Sequence, residues 1–196
     1  MNLIAYKKKI FRKRVIKIRN KLPLANRRRL SRVIMKKIIT SRPFVSASCI
    51  AGYISTGSEV DTEILLKYII ESGKILILPR VSAGSRQLLF YRVENLCLDT
   101  VEGYRGIIEP VPEKCSLVPL SNARMILVPG VVFSESCDRI GYGGGFYDVN
   151  LKKSHPCAHK IGVGFDFQIH PNIPASPQDH SVNAVITERC SYGSVV

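Results

Sequence analysis

The sequence predicts an α/β protein, a three-layer sandwich in which a mostly parallel β-sheet lies between layers of helix and an N-terminal helical hairpin packs on it. Short apolar segments of strand character alternate with segments of helical periodicity along most of the chain. A glycine-rich loop joins one of these strand segments to the helix that follows it. The 196 residues and a hydrophobic content of 45% suit a single domain, 1–196, with a substantial core.

The first 42 residues are strongly basic and predict the helical hairpin. They hold 16 lysine and arginine residues and no acidic residue, whereas the rest of the chain has 13 basic and 15 acidic residues. Apolar residues recur at helical spacing on both sides of Pro23, which indicates two amphipathic helices docked on the core. Two alternatives are a nucleic-acid-binding arm and an organelle transit peptide, although the first 30 residues contain no serine.

The other elements follow in order from apolar runs and the residues that interrupt them. Strands are predicted at 48–55, 74–78 (closed by Pro79), 88–93, 125–128, 161–167 and 184–187, and helices at 61–72 and 148–153. Ligands of parallel α/β folds collect at the carboxyl ends of the strands. We therefore expect the loops that follow these strands to form the functional site.

Composition disfavours several classes of protein. No apolar run approaches the roughly 20 residues that a membrane span requires. Lys7 to Lys9 interrupt any secretory hydrophobic region near the N-terminus. Six cysteines without CxxC spacing indicate free thiols in a reducing compartment. We expect a cytoplasmic protein that is a monomer or a weak dimer.

One strand-loop-helix segment carries the strongest functional signal. An apolar strand ends at Pro129-Gly130, and Arg139-Ile-Gly-Tyr-Gly-Gly-Gly-Phe-Tyr-Asp148 then leads into a helix. Glycines allow close approach of the backbone to a ligand, and the free N–H groups of a helix start favour anions. The segment is not a Walker A loop, because no GK[ST] follows, and Phe146 occupies the third glycine position of a dinucleotide fingerprint.

This segment resembles the R-x-G-x-G-x-G-[YF]-Y-D signature of the 5-formyltetrahydrofolate cyclo-ligase family, also called 5,10-methenyltetrahydrofolate synthetase. Val128-Pro129-Gly130 and Phe133 match the family's VPG-x-x-F, and weaker matches recur in order along nearly the whole chain. The resemblance implies a ligase of one-carbon metabolism that uses ATP and Mg²⁺ to convert 5-formyltetrahydrofolate to 5,10-methenyltetrahydrofolate. The substrate would carry either one glutamate or a polyglutamate tail.

The resemblance also implies roles for individual residues. It assigns ATP binding to Lys8, Arg12, Arg139, Gly141, Gly143, Gly144, Gly145 and Tyr147, folate binding to Glu59, Glu109, Tyr142 and Phe146, catalysis to Arg139 and Tyr142, and Mg²⁺ ligation to Asp148 and Asp179. Lys8 and Arg12 would share a helix face at i, i+4 spacing, with nearby lysines and arginines as alternatives. For Glu59, a capping role at the next helix remains open.

Five positions depart from the family pattern. Ser134 and Cys137 replace the Asp and Gly of FD-x-x-G-x-R, and Gly144 stands where many members have Lys. Gln178 and Asn183 replace a His and an Asp near Asp179. We expect these changes to affect catalysis more than the fold.

Two other functions remain open from the sequence. A nucleic-acid-binding protein that uses the basic hairpin would bind with a steep salt dependence, but it leaves the glycine-rich motif unexplained. Another sugar-phosphate or coenzyme A enzyme could use a similar scaffold, because a fold does not determine a function.

Overall fold

The computed structural model describes residues 3–194, in which helices and strands alternate. The helices are α1 (Leu3–Asn20), α2 (Leu24–Ile39), α3 (Arg42–Ser46), α4 (Glu63–Glu71) and α5 (Phe146–Asn150). The strands are β1 (Cys49–Ala51), β2 (Ile75–Val81), β3 (Leu88–Arg92), β4 (Thr100–Glu102), β5 (Ile108–Pro110), β6 (Met125–Pro129), β7 (Val132–Ser134), β8 (Arg139–Ile140), β9 (His159–Val163), β10 (Ile169–His170), β11 (Ala184–Ile186) and β12 (Ser191–Gly193).

The main sheet has seven strands in the order β12-β11-β9-β6-β1-β2-β3. The strands from β11 to β2 in this order are parallel, and the two edge strands, β12 and β3, are antiparallel to their neighbours. The predicted α/β class with a mostly parallel sheet and N-terminal helices is confirmed. Because the inner strands are parallel, the loops that leave β1, β6 and β9 emerge at the same edge.

Both faces of the main sheet are covered, because alternate residues of a strand point to opposite sides. Met125 and Leu127 of β6 belong to the core cluster that includes α2 and α4, whereas Ile126 and Val128 belong to the cluster on the other face. That second cluster includes Leu151, directly after α5, and residues of the small β10-β7-β8 sheet. The apolar run at 125–128 therefore predicts a central strand correctly.

Helix α1 packs on the small sheet rather than on the main one. Val15 is buried against Val131, Val132 and Ile140, which lie in and beside β7 and β8. This places α1 over the segment that follows β6. No helix within residues 3–194 has the length and apolar character needed to cross a membrane.

Phe133 of β7 anchors the segment after β6 to the main sheet. Its buried ring lies where side chains of three glycines would otherwise project. A Cβ atom on Gly162 would lie 2.6 Å from the ring, one on Gly164 would lie 3.1 Å from it, and one on Gly130 would collide with it. The phenylalanine of the VPG-x-x-F pattern therefore packs its ring against the backbone of these glycines.

Some predicted boundaries are wrong, and the reasons lie in strand pairing. Strand β2 continues through Pro79 to Val81, because β3 pairs with it from Ile77 onward while β1 pairs only up to Ile77. Pro79 therefore lies where β2 has one neighbouring strand, a position that tolerates a missing N–H. The predicted strands at 48–55 and 161–167 end earlier, at Ala51 and Val163, where the chain turns into loops.

Candidate functional site

One face of α1 presents Lys8, Arg12, Val15 and Arg19 to the rest of the protein. The i, i+4, i+7, i+11 spacing aligns them in a single stripe. Lys8, Val15 and Arg19 are buried, and Arg12 is half-buried. At about 1.5 Å per residue, the cations are spread along roughly 16 Å of helix. Sequence reasoning identified Lys8 and Arg12 but missed Arg19, although its alignment with Val15 on this face is visible in the sequence.

The glycine-rich loop, residues 141–145, lies against this stripe. Arg12 Nε donates a 2.6 Å hydrogen bond to the carbonyl oxygen of Gly141. The Arg12 guanidinium group also lies 3.6–3.8 Å from the position that a Cβ atom on Gly143 would occupy. Gly143 and Gly145 have φ angles of 103° and 71°, in the left-handed region that favours glycine. The left-handed backbone therefore favours glycine at these two positions, whereas a Cβ atom on Gly143 would make only an ordinary contact with Arg12.

Arg139 and Asp148 form a buried ion pair at the back of the loop. Arg139 Nη2 lies 2.6 Å from Asp148 Oδ1, and the Arg139 side chain is 3% exposed. Burial lowers the pKa of Arg139, while Asp148 opposes this shift. Arg139 Nε and the Tyr147 hydroxyl group are buried and have no hydrogen-bond partner among the described residues. Such groups cost about 1–3 kcal/mol each when left unpaired, so they are suited to binding a polar ligand.

Asp179 lies beside this pair and binds Lys8. Lys8 Nζ donates to Asp179 Oδ2, which also accepts a 2.6 Å hydrogen bond from the Ser176 N–H. Burial alone would raise the pKa of Asp179, but the hydrogen bonds from Lys8 and Ser176 outweigh it, so the pKa is below its ordinary value. The N–H of the next residue, His180, donates to Asp148 Oδ1 at 3.2 Å. The two predicted metal ligands are therefore neighbours.

The geometry allows a limited test of the predicted Mg²⁺ site. Within residues 3–194, no group of three or more His, Cys, Asp or Glu side chains is arranged to hold a metal ion. Mg²⁺ commonly takes only one or two carboxylates and completes its shell with water and phosphate oxygens. Asp148 and Asp179 fit that donor set, since the hydrogen bonds they accept fall on one oxygen atom of each carboxylate.

A second cluster joins Tyr142 of the loop to Glu59 and Arg19. The Tyr142 hydroxyl group donates to Glu59 Oε1 at 2.6 Å and accepts from Arg19 Nη2 at 2.5 Å. Burial, and then the charge of Glu59, raise the pKa of Tyr142 well above its ordinary value, so the phenol stays protonated. Glu59 Oε2 accepts a 2.7 Å hydrogen bond from the Thr56 N–H. The capping role considered for Glu59 belongs to Asp61 instead. The Asp61 carboxylate accepts a hydrogen bond from the N–H of Glu63, the first residue of α4.

Glu109 makes no hydrogen bond to either cluster among the described residues. It is 2% exposed, accepts a 3.0 Å hydrogen bond from the Val81 N–H and packs against Gly103. A link to the loop runs through Tyr104, whose ring meets Phe146 edge-on at 5.8 Å. The structure thus brings the predicted phosphate and metal residues together and places Glu59 and Tyr142 beside them, whereas Glu109 is linked to the loop only through Tyr104 in the contacts described.

The profile of the 5-formyltetrahydrofolate cyclo-ligase family matches residues 4–188 of this chain. The chain belongs to that family. The 5-formyltetrahydrofolate cyclo-ligase of Escherichia coli K12 is 31% identical over 155 residues, covering 77% of this chain and 84% of the relative. The enzyme of Mus musculus is 28% identical over 176 residues, covering 85% and 86%. The predicted family and enzyme class are confirmed.

Solved structures of cyclo-ligases, also called 5,10-methenyltetrahydrofolate synthetases, have the same fold. The synthetase of Aquifex aeolicus superposes with a TM-score of 0.84 at 31% identity, covering 95% of this chain and 92% of the other. The synthetase of Mycoplasma pneumoniae superposes with a TM-score of 0.75 at 20% identity, covering 92% and 98%, and shows the fold alone.

The structure accounts for two of the departures from the cyclo-ligase pattern. Cys137 stands where the family has glycine, and its φ of 68° lies in the left-handed region, so the backbone keeps a conformation suited to glycine. Ser134 stands where the family has aspartate, and its hydroxyl oxygen accepts a 2.9 Å hydrogen bond from the Asp138 N–H, as a carboxylate could. Both substitutions preserve the turn that leads into Arg139.

Of the remaining departures, Asn183 has a structural role. Its side-chain oxygen accepts a 2.9 Å hydrogen bond from the Lys160 N–H, which joins β9 to the start of β11. Gln178 is exposed in the loop before Asp179. A Cβ atom on Gly144 would lie 2.7 Å from the Phe146 ring, so a lysine at this position would require that ring to move.

Proposed function

We propose that this protein converts 5-formyltetrahydrofolate to 5,10-methenyltetrahydrofolate while ATP is converted to ADP and phosphate. The observation that supports this proposal most directly is that Lys8, Arg12 and Arg139 lie close to the glycine loop in a chain of the cyclo-ligase family. Positively charged side chains and unpaired backbone N–H groups around a loop can bind the oxygens of a triphosphate. The adjoining cluster of Tyr142 and Glu59 suits a second, aromatic substrate.

The chemistry requires activation of the formyl oxygen, because that oxygen is a poor leaving group. In the proposed reaction the formyl oxygen attacks the γ-phosphorus of ATP, and the bond to ADP breaks. N10 of the folate then attacks the formyl carbon and loses its proton, and phosphate leaves with the former formyl oxygen. Catalysis of phosphoryl transfer rests mainly on positioning and on neutralisation of charge.

The phosphate end of the site would supply this neutralisation. Lys8, Arg12 and Arg139 would contact phosphate oxygens, and residues 141–145 would donate backbone N–H groups. Arg139 carries a buried donor, Nε, in addition to the nitrogen that binds Asp148. Mg²⁺ held by Asp148 and Asp179 would add charge neutralisation as a Lewis acid. Tyr147, which lies under Arg139 at 5.9 Å, would fix the guanidinium plane.

The folate end would use Tyr142, Glu59 and Phe146. A carboxylate can accept paired hydrogen bonds from the aminopyrimidine edge of a folate. Glu59 is buried, so water competes little for its oxygen atoms. Tyr142 remains a neutral donor, because the pKa of its hydroxyl is raised. To donate to the reacting formyl group, the hydroxyl would exchange its hydrogen bond to Glu59 for one to the substrate, without adding charge. Glu109, which is also buried, would be a second carboxylate able to accept hydrogen bonds from the pterin.

An anionic tail on the folate would find a basic groove. Lys9, Lys13 and Lys17 of α1 and Lys21 just after it repeat at i, i+4 spacing and line an open groove of about 690 Å³, which Tyr142 also lines. We propose that these four lysines bind the glutamate tail of polyglutamylated substrate. Changing all four lysines to glutamine should remove any preference for a polyglutamate over a monoglutamate substrate. An unchanged ratio of the two kcat/KM values would reject the assignment.

The function is tested by the absorbance of methenyltetrahydrofolate. Purified protein with 5-formyltetrahydrofolate, Mg²⁺ and ATP should produce this band, and omission of ATP should abolish it. Asp148→Ala should lose most of the rate, whereas Asp61→Ala, outside the site, should retain it. Absence of the band with folded wild-type protein would refute the proposed reaction, and salt-dependent RNA binding would then be the function to test.

A further inference from the structure

Arg86 lies beside the glycine loop but belongs to the hairpin that joins β2 to β3. Its Nη1 atom is 3.9 Å from the position that a Cβ atom on Gly145 would occupy. The residue is exposed, and no hydrogen bond or ion pair of its guanidinium group is found in the described part of the chain. Arg86 is thus an uncommitted cation next to the N-terminus of α5.

The other cations around the loop are already engaged. Lys8 is paired with Asp179, and Arg139 is paired with Asp148. Arg12 donates to the carbonyl oxygen of Gly141. Each of these three side chains therefore already has one partner, although Arg139 Nε is unpaired, whereas the guanidinium group of Arg86 has no partner among the described residues.

Asn150 fixes the backbone of Arg86 to the start of α5. Its side-chain nitrogen donates to the carbonyl oxygens of Arg86 at 2.9 Å and Phe146 at 2.8 Å, and its side-chain oxygen accepts from the Leu88 N–H at 3.2 Å. The residue is 2% exposed. One buried amide therefore joins the hairpin that carries Arg86 to α5, so the backbone of Arg86 is held in place although its side chain is exposed.

We propose that Arg86 is a further ATP-phosphate-binding residue of this enzyme and that Asn150 is the residue that positions it. The inference rests on the proposed function and extends it to a part of the chain outside the family signature. It also accounts for Gly144. A side chain there would require the Phe146 ring to move, and Arg86 would supply from the hairpin a positive charge that the loop lacks.

The test compares Arg86→Gln with a matched control, Arg92→Gln. Arg92 lies in β3 and is paired with Glu94 at the surface, away from the loop. A charge-assisted hydrogen bond is worth roughly 1.5–3 kcal/mol, so the Kd for ATP should rise about tenfold or more in Arg86→Gln. KM for ATP should rise in parallel, while KM for 5-formyltetrahydrofolate stays within about twofold. Arg86→Lys should recover much of the affinity, and Arg92→Gln should match the wild type.

Asn150→Leu tests the positioning role, because it removes the two N–H donors at similar volume without adding a charge beside the proposed phosphate site. It should weaken ATP binding in the wild-type background and add little in the Arg86→Gln background, as coupled residues do. A purely structural role would lower Tm equally in both backgrounds and leave the ATP affinity unchanged.

Calorimetric ATP binding separates the two proposals. An inactive wild type that nonetheless binds ATP more tightly than Arg86→Gln would refute the reaction but support the role of Arg86. An active wild type whose ATP affinity is unchanged by Arg86→Gln would overturn the role of Arg86 and leave the reaction standing. Equal ATP affinity of an inactive wild type and the variant would overturn both.

Discussion

The hydroxyl group of Tyr142 donates a 2.6 Å hydrogen bond to Glu59, a residue 83 positions earlier in the chain. This contact joins the glycine loop to the segment between β1 and α4. Arg19 of α1 donates to the same hydroxyl group, so three separate segments meet at one phenol. The proposed folate end of the site therefore exists only when α1, the loop and the β1–α4 segment are all in place.

Tyr142→Phe should weaken folate binding more than ATP binding. The change removes the donor to buried Glu59 and the acceptor for Arg19, a loss of about 1–3 kcal/mol. KM for 5-formyltetrahydrofolate should rise about tenfold, with KM for ATP nearly unchanged. Steady-state kinetics would measure both, with Tyr68→Phe on the exposed face of α4 as the control. Equal changes in the two constants would contradict a folate-specific role.

Asp179 should make stability fall in acid. Because the folded pKa is depressed, its contribution is present above the unfolded value of about 3.9 and is lost as pH falls through the lower folded pKa. The Tm difference between wild type and Asp179→Asn should therefore shrink as pH decreases below about 4. Lys8→Met should show the same flattening. A Tm difference that stays constant over this pH range would show that protonation of Asp179 does not change the stability contributed by the Lys8–Asp179 pair.

Arg139→Gln should abolish activity and destabilise the fold. Removing one partner of a buried pair typically costs about 3–5 kcal/mol, and roughly half of that is expected here because the Asp148 side chain is 26% exposed. Urea denaturation would measure the loss. The double variant Arg139→Gln, Asp148→Asn should recover part of the stability and none of the activity. Recovery of activity as well would show that neither charge is needed for the reaction.

Gly162→Ala should destabilise the protein chiefly through its contact with Phe133. The added methyl group would lie 2.6 Å from the Phe133 ring, and overpacking of this kind costs about 1–3 kcal/mol. Phe133→Leu leaves more room, so the two changes together should be less damaging than the sum of each alone. Denaturation midpoints of the four proteins would give the coupling energy. Additive losses would mean that the ring does not fill the space above the glycine.

The glycine loop was predictable because its chemistry is local. Left-handed φ angles at Gly143 and Gly145 and a helix start beside them arise from consecutive residues, so the sequence signature and the structure agree. The same holds for β6, whose four apolar residues are all buried. The path of β2 through Pro79 was not predictable, because it depends on which strand lies on each side.

The sequence by itself determined the fold class, the basic helical hairpin, the family and the residues that face the loop, since these follow from periodicity and from contiguous motifs. Only the tertiary structure decided which basic residues of α1 are buried, that Arg19 shares Tyr142 with Glu59, and that Arg86 reaches the loop from a distant hairpin. Those contacts join residues far apart in the chain. Their partners are set by the packing of sheet and helices, for which a local pattern carries no signal.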